Sequence, residues 1–443
     1  MAGGSVISSK LFHVADSWSS GRCFCGGYKR RFALALRTSP SPLPLATTTT
    51  SADNMNSFTA AIRSSLLQNA NKGDTLRSWS IKELLKINDV NATNADIVLQ
   101  EIRTRLAIQH QRLSSFSRVE EYAKIASSSD GATLSTSLKM LLQLHENTYM
   151  LPHEIIETDF LMEGFSNRPK RAYLKQMVDD IMTRHGASVD TFADATIASR
   201  NMEQQIPRIL RKQFRKDANI LQNPEVFLHS RLLIQLICEH YVSLCKGKST
   251  GAISIDADIL DIVDDATTEA KHVADANLGI APEFQIRSID GPFVPPPIIR
   301  SWIHHAIVEV TKNAMTSTVE KWDEQPLHQR QSLPSNILIE VSRDAYFMTI
   351  KVVDNGIGLN ADRSDKAFRF AVSSTQKRWD RINEQQSYAA VRQPLGSLGV
   401  GLSLSNLMMK CFGGSLSLHN NQNEPGCTAT IRVNYNDDYK ALN

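Results

Sequence analysis

The sequence predicts a two-part chain: an N-terminal bundle of α-helices followed by an α/β domain. Three observations carry this. From Met55 to about Lys248, apolar residues recur at helical spacing with few alternating β-branched runs. Beyond Lys248 the period switches between helix and strand. One helix of that second half, Ile303 to Glu320, carries a polar stripe opposite its apolar face, and three glycine-bearing segments lie downstream of it.

Composition bounds the classes. The 443 residues suggest two or three domains, and 42 % apolar with 21 % charged residues is ordinary for a globular protein with a core. In the first fifty residues Lys10, Arg22, Lys29, Arg30, Arg31 and Arg37 face a single acid, Asp16. That surplus of five turns a net charge of +3 into about −2 for the rest, so the body has no net electrostatic footprint for nucleic acid. The basic, Ser-rich, acid-poor start ends in a Ser/Pro/Thr tract. Residues 1–54 therefore read as a mitochondrial transit peptide, implying the matrix, or as a disordered tail. No transmembrane segment is expected, because the longest apolar helix is broken by Gln235, Glu239 and His240. Cys238, Cys245, Cys411 and Cys427 lack paired metal-ligand spacing and read as reduced, mostly buried thiols.

Within residues 55–248, Ile97, Ile102 and Leu106 mark one amphipathic helix, and Leu134, Leu138, Leu141 and Leu142 another. Residues 155–186 and 193–217 suggest two more, and Val226 to Leu244 a long apolar one. Turn signals fall at Ser127 to Gly131, Asn167-Arg168-Pro169 and Asn223-Pro224. Long helices with short connections argue for an up-and-down bundle of the four-helix type. Arg208, Arg211, Lys212, Arg215 and Lys216 make one helix basic, as a solvated face or a surface for an acidic partner.

The boundary between residues 55–248 and 249–443 falls within Lys246 to Gly251, which lacks the GK[ST] spacing of a phosphate loop and has no strand before it, so it reads as a linker. Leu260 to Ala276 reads as a helix and Phe284 to Ile289 as a strand. Pro295-Pro296-Pro297 leads into the striped helix. Asn336 to Ser342 and Phe347 to Val353 alternate as strands of a hairpin, and the second runs into Asp354-Asn355-Gly356-Ile357-Gly358. A helical piece, Asp365 to Ala371, precedes a polar stretch, Ser373 to Pro394, long enough for a mobile lid. Gly396 to Leu402 opens a helix through Met409. The strands Ser415 to His419 and Ala429 to Asn434 close the domain, with Pro425-Gly426-Cys427-Thr428 between them.

Positions three and four apart share a helix face, so His305, Glu309, Lys312, Asn313 and Thr316 form one stripe. In order, the chain then holds Glu309-x-x-Lys312-Asn313, Asp354-x-Gly356-x-Gly358 after a strand, the Gly399/Gly401 junction, and Gly426-Cys427-Thr428 before the last strand. Each motif is weak alone. The ordered set resembles the nucleotide-binding domain shared by type II topoisomerases, Hsp90, sensor histidine kinases and MutL, the GHKL superfamily. The nearer resemblance is to the mitochondrial kinases of pyruvate dehydrogenase and branched-chain ketoacid dehydrogenase. It rests on Lys312-Asn313-Ala314-Met315, Thr318-Val319-Glu320 and Phe293-Val294-Pro295, and more thinly on Ser230-Arg231-Leu232 and Asp265-Ala266.

The resemblance implies a GHKL α/β sandwich with a mixed sheet behind the bundle, and ATP with Mg²⁺ as cofactors. It makes Glu309 the base and Asn313 the Mg²⁺ ligand, the latter through a hard amide oxygen. Lys312 would pair with a phosphate, and Asp354 would accept from the adenine amino group beside Gly356 and Gly358, where the backbone passes close. Ser397, Leu398, Gly399, Val400, Gly401 and Leu402 would present a helix N-terminus to the phosphates. Ser373 and Ser374 match a hydroxyl pair facing nucleotide, Thr428 lines the adenine side, and His305 tunes Glu309 or packs.

The implied activity is a protein serine kinase that inactivates the decarboxylase subunit of a pyruvate or branched-chain 2-oxoacid dehydrogenase complex. Its bundle would dock on the lipoyl domain of the acyltransferase, and the chain would be a homodimer. Some residues depart from the pattern. Thr316 and Gln235 replace family arginines. Glu203 falls in or near the place of a bundle histidine, where a second carboxylate would raise the pKa of Glu309. These departures open an alternative, a catalytically impaired, ATP-gated binding protein of the same fold. A histidine kinase is a third reading.

Overall fold

The computed structural model describes residues 77–126, 128–156, 168–291, 293–326, 328, 330–360, 366–372, 399–422 and 424–440. The basic N-terminal segment, the polar stretch 373–394, and with them Ser373, Ser374, Ser397 and Leu398, lie outside these. The chain divides after Ser51, and the unit that begins at Ala52 is the one described.

The helical part comprises α1 (Ile81–Leu85), α2 (Ala92–Ser114), α3 (Val119–Ala126), α4 (Ser129–Ile156), α5 (Arg168–His185), α6 (Ser188–Gln205), α7 (Arg208–Asp217), α8 (Asn219–Gln222) and α9 (Pro224–Cys245). Local chemistry sets several of their ends. Ser80 and Glu83 close a reciprocal capping box on α1, Asn91 accepts from Asn94 N to start α2, and Pro224 opens α9 where its missing N–H costs nothing.

One expected helix is two. Pro207 holds Ile206 extended at ψ 151°, so 193–217 is broken into α6 and α7. Of the expected helix 155–186, residues 155 and 156 end α4 and α5 runs from Arg168, while residues 157–167 lie outside the described residues. Two turn signals sit inside helix N-termini instead: Ser129 to Gly131 in α4, and Arg168-Pro169 in α5.

The bundle core forms where the apolar faces meet. α4 lies against α2 and α6, and α9 against α2 and α5. Leu99, Ile102, Leu106, Leu134, Leu141, Leu233 and Leu236 are all buried. Phe192 of α6 stacks on Phe227 of α9 at 4.0 Å between centroids. Phe214 of α7 meets Tyr122 edge-on at 5.0 Å.

The second part adds β1 (Ile253–Ser254), α10 (Ile259–Leu278), β2 (Phe284–Ser288), β3 (Ile298–Ile299), α11 (Arg300–Glu324), β4 (Ile337–Arg343), β5 (Phe347–Val353), α12 (Gly401–Cys411), β6 (Ser415–Asn420) and β7 (Cys427–Asn434). The main sheet runs β2-β4-β5-β7-β6. β2 lies parallel to β4 and every other pair is antiparallel. The mixed sheet behind a helical bundle is the α + α/β architecture the sequence predicts.

Alternation buries Ile337, Ile339, Val341, Met348, Ile350, Val352, Ala429 and Ile431. α11 packs against β5 and β7, α12 against β6 and β7, and α10 runs along α11. The linker from the bundle is more structured than expected, because β1 pairs with β3 directly before α11. Gly251 in that linker is a tight turn at φ 59° whose added Cβ would strike His240, a packing role and not a phosphate loop. The helical piece expected over Asp365 to Ala371 is turns over its described part after Lys366. Cys238, Cys411 and Cys427 are buried, Cys245 half-buried, and all four are reduced thiols.

Candidate nucleotide site

The site begins with α11, a long helix because its apolar residues keep one face continuously inside. Ile303, Ala306, Ile307, Val310 and Ala314 are buried, as their spacing requires. The opposite face gathers the polar stripe. Lys312 Nζ lies 2.5 Å from Glu309 Oε1, with the two side chains 11 % and 14 % exposed. Asn313 is exposed, and its Nδ2 donates to Glu309 O at 2.8 Å. That bond fixes the amide orientation and leaves the carboxamide oxygen as the outward acceptor. Thr316 Oγ1 donates to Lys312 O at 2.8 Å, a back-bond within its own helix. His305 is half-buried, one turn before Glu309.

Asp354 follows β5 directly and is 5 % exposed. Its Oδ1 accepts from Gly356 N at 2.8 Å and Cys427 N at 3.2 Å. Burial pushes the carboxyl up to about 6, against the opposing pull of those two N–H groups and Lys321. The chain then turns through Gly356, where a Cβ would strike Ser317, and Gly358 at φ 72°. Thr428 lies on the β7 face opposite buried Cys427. Its hydroxyl donates to Asn421 Oδ1 at 2.7 Å, and Asn421 Nδ2 donates to Asp354 O at 2.9 Å. Thr428 thus reaches Asp354 through Asn421.

Gly399, at φ 77°, sits where an added Cβ would collide with the backbone of Val372, and its carbonyl accepts from Ala371 N at 3.1 Å. Val400 is buried and Leu402 half-buried. α12 starts at Gly401. A Cβ on Gly401 would run into the Glu309 carboxylate. The helix N-terminus, which favours anions, therefore abuts Glu309.

Three contacts escaped the sequence reading. Ser317 Oγ accepts from Ile357 N at 3.1 Å, Lys321 Nζ donates to Asn355 O at 2.7 Å, and Asn421 bridges as described. The first two had a signal: 305, 309, 313, 317 and 321 are four apart, so the polar stripe continues past Thr316. Asn421 had none.

The partners of Glu203 lie inside the bundle. Its carboxylate is held by Arg215 (Nη2 at 2.5 Å) and accepts from Gln222 at 3.4 Å, both within the bundle. From α6, the guanidinium of Arg200 does hydrogen-bond across to the nucleotide domain.

A Mg²⁺ ion fits this donor set. Among the described residues no cluster of three or more His, Cys, Asp or Glu could cage a metal. Mg²⁺ commonly takes one or two protein oxygens and completes its shell with phosphates and water; the outward oxygen of Asn313 is such a donor.

These elements define a nucleotide-binding domain. Residues 299–437 match the family described as "Histidine kinase-, DNA gyrase B-, and HSP90-like ATPase". Over 322 residues the chain is 24 % identical to the pyruvate dehydrogenase (acetyl-transferring) kinase isozyme 4, mitochondrial, of Rattus norvegicus, covering 66 % of this chain and 74 % of that one. It is 24 % identical over 272 residues to isozyme 1 of Homo sapiens (56 % and 59 % covered) and 23 % identical over 323 residues to human isozyme 3 (66 % and 76 %). Residues 299–437 thus carry a GHKL-type ATPase domain, and the chain is similar to pyruvate dehydrogenase kinases well beyond that domain. No helix among the described residues is long and apolar enough to cross a membrane.

Proposed function

We propose that this chain is a mitochondrial-matrix protein serine kinase. In this reading it uses Mg·ATP to phosphorylate, and so inactivate, the decarboxylase subunit of a 2-oxoacid dehydrogenase complex. The observation that carries it is the convergence of Glu309, Lys312 and Asn313 on one face of α11 with the glycine-led N-terminus of α12.

Asp354 accepts from the adenine amino group while Gly356 and Gly358 admit the base. The N–H groups at the start of α12 face the phosphates, and Lys312 offers them a point charge. Asn313 would hold Mg²⁺, which supplies charge neutralisation across the phosphates. Glu309 takes the proton of the serine hydroxyl as its oxygen bonds to the γ-phosphorus and the bond to the ADP oxygen breaks. Positioning and charge carry most of such a transfer. The bundle takes the lipoyl domain of the acyltransferase, and two chains pair as a homodimer. The mitochondrial location and the pyruvate dehydrogenase named for the relatives support the matrix location and the substrate complex of this reading.

The test is incubation of the purified chain with γ-labelled ATP and isolated pyruvate and branched-chain dehydrogenase complexes. Acid-stable label on the decarboxylase subunit is expected. Binding of ATP without transfer to either complex would overturn the reading in favour of the ATP-gated binding protein, for which the Glu309–Lys312 pair and the self-bonded Thr316 speak.

A further inference from the structure

We propose that Arg200, on the bundle helix α6, is a positioning residue for the phosphate-facing end of the nucleotide site. The inference rests on the nucleotide-binding reading above.

Arg200 Nη1 donates to Ala371 O at 2.9 Å and Nη2 to Phe370 O at 2.8 Å. One planar fork therefore holds two successive carbonyls, a geometry lysine cannot reproduce. The segment so held is under conformational load: Ala371 adopts φ 55°, and no other non-glycine residue among those described has positive φ. Three further contacts keep it in place. Ala371 N donates to Gly399 O at 3.1 Å, the Val372 backbone lies where a Cβ on Gly399 would be, and Phe370 packs 5.7 Å from Phe192 of α6. Gly399 lies two residues before Gly401, which abuts the Glu309 carboxylate.

A short physical path thus runs from α6 through Phe370–Val372 and Gly399 to the α12 N-terminus and Glu309. The same helix ends at the Glu203–Arg215 pair, so α6 carries both an internal anchor and a cross-domain grip. The Arg200 guanidinium is half-buried beside the like charge of Arg369. Its position therefore opposes the desolvation and repulsion that would favour moving it into water.

The path is a prediction about coupling. Ordering the α12 N-terminus for phosphates and ordering the segment under Arg200 are one event. By linkage, loss of the grip weakens nucleotide binding and nucleotide reinforces the grip. The test compares the full chain with Arg200→Ala, Arg200→Lys and, as a control on the same helix, Asn201→Ala. Mg·ATP affinity is measured by displacement of a fluorescent adenine nucleotide, and thermal midpoints are taken with and without Mg·ATP.

Arg200→Ala is expected to weaken binding at least about fivefold and shrink the nucleotide-induced rise in midpoint. Its midpoint without nucleotide should move no further than that of Asn201→Ala. Arg200→Lys, which can reach one carbonyl, is expected to recover part of the affinity. A purely structural residue would lower the nucleotide-free midpoint and leave the nucleotide increment intact, and that result overturns the inference. If Arg200→Ala does not fold, Arg200→Lys decides: wild-type affinity in it overturns the inference, and partial loss supports it. Nucleotide binding by wild type and Arg200→Ala alike overturns this inference alone. A wild-type chain that binds no nucleotide overturns the proposed function and this inference with it.

Discussion

Asp354→Asn should make the chain more stable and less able to bind nucleotide, with the first effect dependent on pH. Burial raises the Asp354 carboxyl from an ordinary 3.8 to about 6, and at 1.36 kcal/mol per unit that is at most about 3 kcal/mol of folding free energy. The sign follows from proton binding. Below pH 3.8 the carboxyl is protonated in both the folded and unfolded chain, and the native state holds its full stability from this group. Between pH 3.8 and about 6 the unfolded chain ionises first, so stability falls as pH rises. Above about 6 the folded chain carries the whole cost of a buried carboxylate. Asparagine keeps an oxygen for the Gly356 and Cys427 N–H groups and removes the charge. The variant should therefore gain up to about 3 kcal/mol at pH 8 and nothing near pH 3.5.

The same geometry sets the binding cost. With the amide oxygen held by those two N–H groups, the NH₂ group is left to face the adenine amino group, donor against donor. Nucleotide affinity should fall on the order of 100-fold, the loss of a charge-assisted hydrogen bond and the gain of an unsatisfied donor. Denaturant titrations at the two pH values, paired with nucleotide titration at pH 8, measure both. A variant less stable than wild type at pH 8, with nucleotide affinity retained, would refute the reasoning on both counts.

Glu309→Gln should lower phosphoryl transfer on the order of 100-fold or more, the scale of a lost general base, while nucleotide affinity changes little; a matching loss in both would reassign Glu309 to binding. Gly401→Ala should retain the fold, since alanine suits a helix start, and reduce transfer at least about tenfold because its Cβ displaces the Glu309 carboxylate. Ser317→Ala leaves Ile357 N–H without its acceptor; about 1 kcal/mol of stability should go, with weaker nucleotide binding, read by thermal midpoint and titration.

Much of this was legible because it is local. The apolar period of α11 fixes which side is buried, and the four-residue spacing puts Glu309 and Asn313 outward without reference to any other element. The strands β4 and β5 follow from alternation, and the turn after β5 from its glycines. The sequence period does not carry breaks imposed by a single residue against the pattern: Pro207 divides a run whose apolar spacing continues through it. Nor does it carry the short pairing of β1 with β3, two residues each, below the length at which alternation means anything. Asn421 was beyond reach for a different reason. Its role comes from a hydrogen-bond bridge between β7 and the Asp354 turn, 67 residues away in sequence.

Glu203 shows why charges are the hardest residues to place from sequence. A carboxylate read beside Glu309 would have implied a like-charge pair and a raised base pKa. In the folded chain Glu203 instead faces Arg215, twelve residues on, because Pro207 folds α7 back toward the end of α6. The charged residue that does cross is one turn earlier on α6. It carries the opposite charge, and it binds carbonyls and no carboxylate. That exchange changes the logic of the site. A cross-domain carboxylate would have acted on the base by electrostatics, felt at the pKa of Glu309. A cross-domain guanidinium bonded to backbone acts by geometry, through where Gly399 and the start of α12 sit. The two mechanisms separate experimentally: Glu203→Gln should leave the pH profile of transfer unchanged, whereas Arg200→Lys should shift nucleotide affinity. An altered profile in Glu203→Gln would restore the electrostatic account.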